Sequence, residues 1–179
     1  GVAFVCIALG RFKEGIVHLR ALLRVDAKRP GILVALTDAL FEIGELDEAA
    51  ATAERARALD ASASGPYATL ADIHAVRGEF DLMMAELQSG VEQTGSIHLL
   101  GKLAFLLRRL CDWKKWRTTW LQLEAALPDT RELVSPFSLL CEPLSAAQQL
   151  AYARRWSGQF SDVNRDSPPT PHAHRARLR

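Results

Sequence analysis

The amino-acid sequence predicts an all-α fold, a solenoid of antiparallel helical hairpins followed by a short helical linker. A glycine, a charged residue and an apolar residue recur at a constant interval, in Gly10-Arg11-Phe12, Gly44-Glu45-Leu46 and Gly78-Glu79-Phe80. Between these turns, apolar residues follow the spacing of one helix face. A fixed period of about 34 residues indicates stacked units, each of which buries its apolar face against the next.

The composition is that of an ordinary core-forming protein, with 49% apolar and 24% charged residues among 179. A net charge of +1 gives no reason to expect nucleic acid or a membrane surface as a partner. Cys6, Cys111 and Cys141 are far apart and lack metal-binding spacing. We interpret them as buried small hydrophobes in a reducing compartment, which predicts a cytoplasmic protein.

Each repeated glycine stands where the first helix of a hairpin should end, because glycine adopts the left-handed conformation of a helix C-terminus most easily. In the second hairpin we predict helices from about Ile32 to Ile43 and from about Asp47 to Leu59. Pro30 and Pro66 stand at helix entries, where a missing amide N–H costs little. Small residues on the second helix allow close helix packing, namely Ala49, Ala50, Ala53 and Ala56.

A fourth step of the same period reaches Asp112, where the glycine is absent but a hairpin still fits. A leucine-rich helix should end near Cys111, and Asp112 can cap the next helix. That helix carries a tryptophan stripe, Trp113, Trp116 and Trp120. We interpret the stripe as packing; the alternative, a carbohydrate or peptide platform, needs exposed rings. Further on, Ser145 and Gln148 have the spacing of a capping box that opens another helix.

These patterns divide the chain into four parts. The first helix, up to Leu9, is truncated with an exposed apolar end, which suggests that more repeats precede it. The last part is rich in Pro, Ser and Arg with few apolar residues, so we expect a flexible tail. The parts are repeats in 1–95, a degenerate hairpin in 96–127, a linker with one helix in 128–160, and the tail in 161–179.

The period and the turn pattern resemble tetratricopeptide (TPR) repeats. The C-terminal part has a narrower resemblance, carried by Cys111-Asp112-Trp113, Leu133-Val134-Ser135-Pro136-Phe137, Pro143-Leu144 and Gln148-Gln149. These residues resemble the segment that joins TPR repeats to the catalytic region in protein O-GlcNAc transferases and their SPINDLY-like relatives, glycosyltransferase family 41.

This resemblance implies a parent enzyme that transfers N-acetylglucosamine from UDP-GlcNAc to Ser or Thr of proteins, although the family also includes fucosyl transfer. The sugar-nucleotide site and the catalytic domain would lie beyond Arg179, so the chain itself would be inactive, with no catalytic residue and no cofactor. It would be the arm that presents protein substrates to that domain. The alternative is a free-standing TPR scaffold that mediates protein–protein interaction.

Both interpretations place recognition in the groove lined by the first helix of each hairpin. The candidate residues for binding a protein or peptide segment are Val34, Asp38, Phe41, Glu42 and Asp72, with Ala68 and Ala75 beside them. Asp38 and Asp72 are one period apart and should stack in adjacent repeats. Acids in a groove favour a basic or polar segment, and the alternative is that they are solvated surface charges.

One departure concerns the asparagine ladder with which O-GlcNAc transferases clamp a peptide backbone. Counting in whole periods, the matching positions are Gly1, Ala35, Thr69 and Leu103, and none is asparagine. Peptide capture by that device is therefore not expected here. His172 and His174 lie in the tail without a cysteine or carboxylate cluster, and His18 and His74 are interpreted as packing or rim residues, so no metal site is predicted.

Overall fold

The computed structural model describes residues 1–128 and 132–158, and this part of the chain is helical without any strand. The all-α prediction is confirmed. The predicted tail, 161–179, lies outside the described residues. The helices are α1 Val2–Ala8, α2 Phe12–Val25, α3 Pro30–Glu42, α4 Leu46–Leu59, α5 Ser64–Arg77, α6 Phe80–Thr94, α7 Ile97–Arg109, α8 Trp113–Ala126, α9 Pro136–Leu139 and α10 Ala146–Gly158.

Helices α1 to α8 form four hairpins that stack in chain order. Within each hairpin the two helices pack on each other, and the second helix also packs on the first helix of the next hairpin. The first helices touch one another directly, α3 with α5 and α5 with α7. After the fourth hairpin, α9 packs on α7, and α10 packs on α9. This is the predicted solenoid, with helix ends within two residues of the expected ones in the second hairpin.

The turn inside each of the first three hairpins has a left-handed glycine, with φ of 72° at Gly10, 82° at Gly44 and 75° at Gly78. In the second turn, the Gly44 N–H donates to Phe41 O and the Glu45 N–H donates to Leu40 O, both at 3.0 Å. This pair of bonds satisfies carbonyls that would otherwise be unpaired at the helix end. A Cβ on Gly44 would meet nothing within 4 Å, so the backbone angle alone favours glycine there.

The fourth turn lies one residue away from the position that the period of about 34 residues predicts. The left-handed residue is Cys111, with φ of 56°, and it comes one position earlier than the period counted from Gly78 would place it. Its N–H donates to Arg108 O at 3.1 Å, and the next N–H, that of Asp112, donates to Leu107 O at 3.0 Å, as in the glycine turns. Asp112 caps α8 as predicted, because its Oδ1 accepts the Lys115 N–H at 3.1 Å.

The prediction that all three cysteines are buried is wrong for two of them. Cys6 is buried, but Cys111 and Cys141 are exposed. Cys111 lies in the turn between α7 and α8, and Cys141 lies in the turn after α9, so neither is on the packed side of a helix. Both of these thiols therefore lie at the surface and not in the core.

The tryptophan stripe is packed over part of its length. Trp120 is 4% exposed, whereas Trp113 is 55% exposed and lies edge-on to Trp116 at 6.1 Å between ring centroids. The packing interpretation therefore holds for Trp120 and for the half-buried Trp116, and is wrong for Trp113. Trp113 is the first residue of α8, beside the turn, where the neighbouring hairpin does not cover it.

We expect Cys111→Gly to stabilise the chain by about 1 kcal/mol, because a side chain in the left-handed region costs roughly that much and glycine removes the cost. The matched control is Gly44→Ala, which should destabilise by a similar amount at an equivalent turn. Urea unfolding followed by circular dichroism measures both. A loss of stability in C111G would mean that the thiol makes contacts that outweigh its backbone strain.

Candidate functional site

The candidate site lies where the first helices α3, α5 and α7 meet, a surface we call the inner face. Asp38 and Asp72 occupy equivalent places, each six residues before the left-handed residue of its hairpin. Asp38 and Glu42 are exposed, and Asp72 is half-buried. Two other candidates are half-buried in helix contacts: Val34 lies against Gly65 of α5, and Phe41 packs on the first apolar cluster.

Each of the two aspartates is bound by the next repeat. The Thr69 hydroxyl donates to Asp38 Oδ1 at 2.9 Å. The Lys102 ammonium donates to both carboxylate oxygens of Asp72, at 2.7 and 2.6 Å. Thr69 and Lys102 are themselves equivalent, since both lie nine residues before the left-handed residue of their hairpin. The inner face therefore joins successive repeats through matched polar pairs.

The prediction of Leu103 at the fourth position of the asparagine ladder is wrong. The expected residue was Leu103, which is buried at 6% exposure. Because the turn at Cys111 comes one residue early, the residue that occupies the position is Lys102. Lys102, which binds Asp72 of the preceding repeat, therefore occupies the place predicted for Leu103.

The surroundings of Asp38 raise the pKa of its carboxyl group. The largest cause is partial burial between the helices, which removes hydration even though the side chain still reaches solvent. The negative charges of Glu42 and Asp72 raise the pKa further, whereas the hydrogen bond from Thr69 and the charge of Lys102 lower it. Glu42, Asp72 and Lys102 are thus close enough to Asp38 to form one electrostatic site with it.

The raised pKa has a consequence for stability. The folded chain holds a proton on Asp38 more tightly than the unfolded chain does. Stability is therefore highest below the unfolded pKa and falls as the pH rises through the folded pKa. The charged form of Asp38 therefore contributes less to stability than the protonated form. Perturbed carboxyl groups of this kind cluster at functional sites.

His98 adjoins the same surface on α7, and its pKa is lowered. Burial is the main cause, and the charge of Lys102 acts in the same direction. Glu132, Asp72 and a hydrogen bond with the Leu133 backbone oppose the shift. His98 is consequently neutral at pH 7 and does not add positive charge to the inner face.

A second polar cluster joins α7, α8 and the turn after α9. Glu142 Oε2 accepts hydrogen bonds from Trp116 Nε1 at 3.0 Å and from Arg108 Nη2 at 3.4 Å. The Arg108 guanidinium lies 4.6 Å from the Trp116 ring centroid. The Glu142 side chain is fully buried. Neither its Oε1 nor Arg108 Nε has a hydrogen-bond partner among the described residues.

The sequence did not lead us to predict a site at Arg108 and Glu142. The feature that could have indicated it is an acid inside a Leu- and Pro-rich stretch.

Comparison with known proteins finds a match in the first part of the chain. Residues 7–73 match the family model of the tetratricopeptide repeat. No curated protein sequence matches the chain significantly. A thermophilic TPR protein of Thermus thermophilus is similar over 86% of this chain and 77% of its own, with TM-score 0.61 and 16% identity. MamA is similar over 91% and 96%, with TM-score 0.60 and 14% identity. YrrB, a TPR protein with an unusual peptide-binding site, is similar over 79% and 74%, with TM-score 0.53 and 17% identity.

These structural likenesses show a TPR-like solenoid fold and nothing finer. Within residues 1–128 and 132–158, no helix combines the length and the apolar character needed to cross a membrane. His, Cys, Asp and Glu side chains do not gather there in a group of three that could hold a metal ion. Among the described residues, the inner face presents acids, a lysine paired with one of them, and apolar helix surfaces.

Proposed function

We propose that this chain is a protein-interaction scaffold that holds a segment of a partner protein on the inner face. The observation that carries the proposal is a pair of exposed acids, Asp38 and Glu42, one turn apart on α3, where Asp38 accepts a hydrogen bond from the neutral Thr69 hydroxyl. TPR repeats are an interaction fold, and YrrB has a peptide-binding site on a similar one. A partner that supplies positive charge would compensate the charge of these two acids.

The charges of the inner face favour a basic segment. Lys102 compensates Asp72 directly, whereas Thr69, the equivalent residue one repeat earlier, gives Asp38 a neutral hydroxyl. Negative charge therefore remains around Asp38 and Glu42. A lysine or arginine side chain of the partner, placed between them, would be attracted to this site.

The test is the binding of short basic, neutral and acidic fluorescent peptides, followed by anisotropy. The wild type should prefer basic peptides, and Asp38→Asn with Glu42→Gln should weaken the best of them about tenfold, or about 1.4 kcal/mol. The control is Glu92→Gln, an exposed acid on α6. Added salt should also weaken binding. Equal loss in the control, or no preference for basic peptides, would contradict the proposal.

A narrower proposal is that this scaffold is the substrate-binding arm of an O-GlcNAc-transferase-like enzyme in the cytoplasm. Its support is the sequence resemblance and the interface those residues make. Asp112 caps α8, Trp116 donates a hydrogen bond to Glu142, and the Phe137 ring packs at a tilt on that of Phe105. The residues that carry the resemblance therefore lie in one continuous set of contacts after the repeats. An arm of this kind would raise the local concentration of the acceptor protein at a catalytic domain.

Extending the reading frame past Arg179 tests this narrower proposal. We expect the longer product to bind UDP-GlcNAc in a calorimetric titration, with residues 1–179 alone as the control that does not bind. An extension that binds no sugar nucleotide, or a frame that stops near Arg179, would reject the arm and leave the scaffold proposal unaffected.

A further inference from the structure

Residues 132–144, which we call the covering segment, lie against α7 where a further repeat would pack. In the second and third hairpins, Val34 of α3 contacts Gly65 of α5. The residue equivalent to Val34 in the fourth hairpin is Gly101, ten residues before the left-handed Cys111. A Cβ built on Gly101 would lie 2.7 Å from Val134 Cγ1. Val134 of the covering segment thus contacts α7 at the position where, in the second hairpin, α3 contacts the first helix of the next hairpin.

The same correspondence continues along α7. Phe105 is the equivalent of Asp38 and Asp72, whose side chains bind the next first helix. Its ring packs on that of Phe137, with 5.6 Å between centroids and 53° between planes. The covering segment therefore replaces a fifth first helix over at least two successive turns of α7.

The covering segment is anchored at both ends and in the middle. At the start of α7, Glu132 accepts the Ile97 N–H at 2.8 Å and the Ser96 hydroxyl. Val134 and Leu139 are buried in the third apolar cluster, which α7 and α8 also line. At the far end, Glu142 binds Trp116 and Arg108. These contacts explain why the segment follows α7 along its length.

The cover is less complete than a helix would provide. Within 132–144 the helical part is Pro136–Leu139, and Phe137 and Leu140 are 67% and 59% exposed. Glu142 is fully buried, and its Oε1 has no partner within the described part of the chain, an arrangement that costs free energy. By comparison, α5, which packs on α3 in the equivalent place, is a full helix of 14 residues. A partner helix could bury this side of α7 better than the chain's own segment does.

We propose that the covered side of α7 is a second protein-interaction surface, opened when an amphipathic helix of a partner protein displaces residues 132–144. The displacing helix must present the chemistry that the covering segment presents now. An apolar side chain faces Gly101, an aromatic or large apolar one faces Phe105, and an acid faces Arg108. This surface is separate from the Asp38 site, so it does not depend on what that site binds.

Hydrogen exchange on the intact chain gives the first test. If the covering segment detaches by itself, its amides should exchange at least about tenfold faster than those of α7, because they open without unfolding the hairpin beneath. Equal exchange rates in the covering segment and in α7 would overturn the proposal, since the segment would then be part of one cooperative unit.

The second test opens the surface by mutation and offers a defined probe. Val134→Asp places a charge in the buried contact with Gly101, whereas Leu140→Asp is the control on an exposed residue of the same segment. The probe is a labelled peptide of residues 132–144 with serine in place of Cys141. V134D should bind it at least about tenfold more tightly than the wild type or L140D. A folded V134D that does not bind, or a V134D that unfolds, would overturn the proposal, because both mean that the segment is not a displaceable cover.

Discussion

The left-handed residue between the two helices of each hairpin is the constraint on which the stacking depends. It reverses the chain, and its two hydrogen bonds end the first helix at a fixed place. The interval between successive left-handed residues then decides which side chains face each other across repeats. Shortening the last interval by one residue, at Cys111, brings Lys102 opposite Asp72 where Leu103 would otherwise stand.

The inner face therefore has two halves of different chemistry. Around α3 and α5 it carries Asp38 and Glu42, whose negative charge is left without a paired cation among the described residues, while Lys102 neutralises Asp72. On α7 it is aromatic and apolar around Phe105, and residues 132–144 cover it. One stack of similar hairpins thus offers a charged surface for a basic segment and an apolar surface for a helix.

The features predictable from sequence were those set by local residues. The glycine period predicted the hairpins, and Ser145 and Gln148 form the expected capping box, with the Ser145 N–H donating to Gln148 Oε1 at 2.9 Å. The partners of Asp38 and Asp72 were not predictable, because they depend on how repeats stack and on a shift of one residue at Cys111. The burial of Glu142 was equally hidden, since the sequence does not show which helices its segment lies against.

The most direct measurement is the stability of Asp38→Asn relative to the wild type at pH 7 and at about pH 3, below the unfolded pKa of an aspartate. Asparagine keeps an acceptor for Thr69 and removes the charge. We predict that D38N is the more stable protein at pH 7 and that the difference disappears at the lower pH, with Glu92→Gln unchanged at both. A D38N that is less stable at pH 7 would mean that Asp38 stabilises the stack, and the inner face would lose its claim to be a binding site.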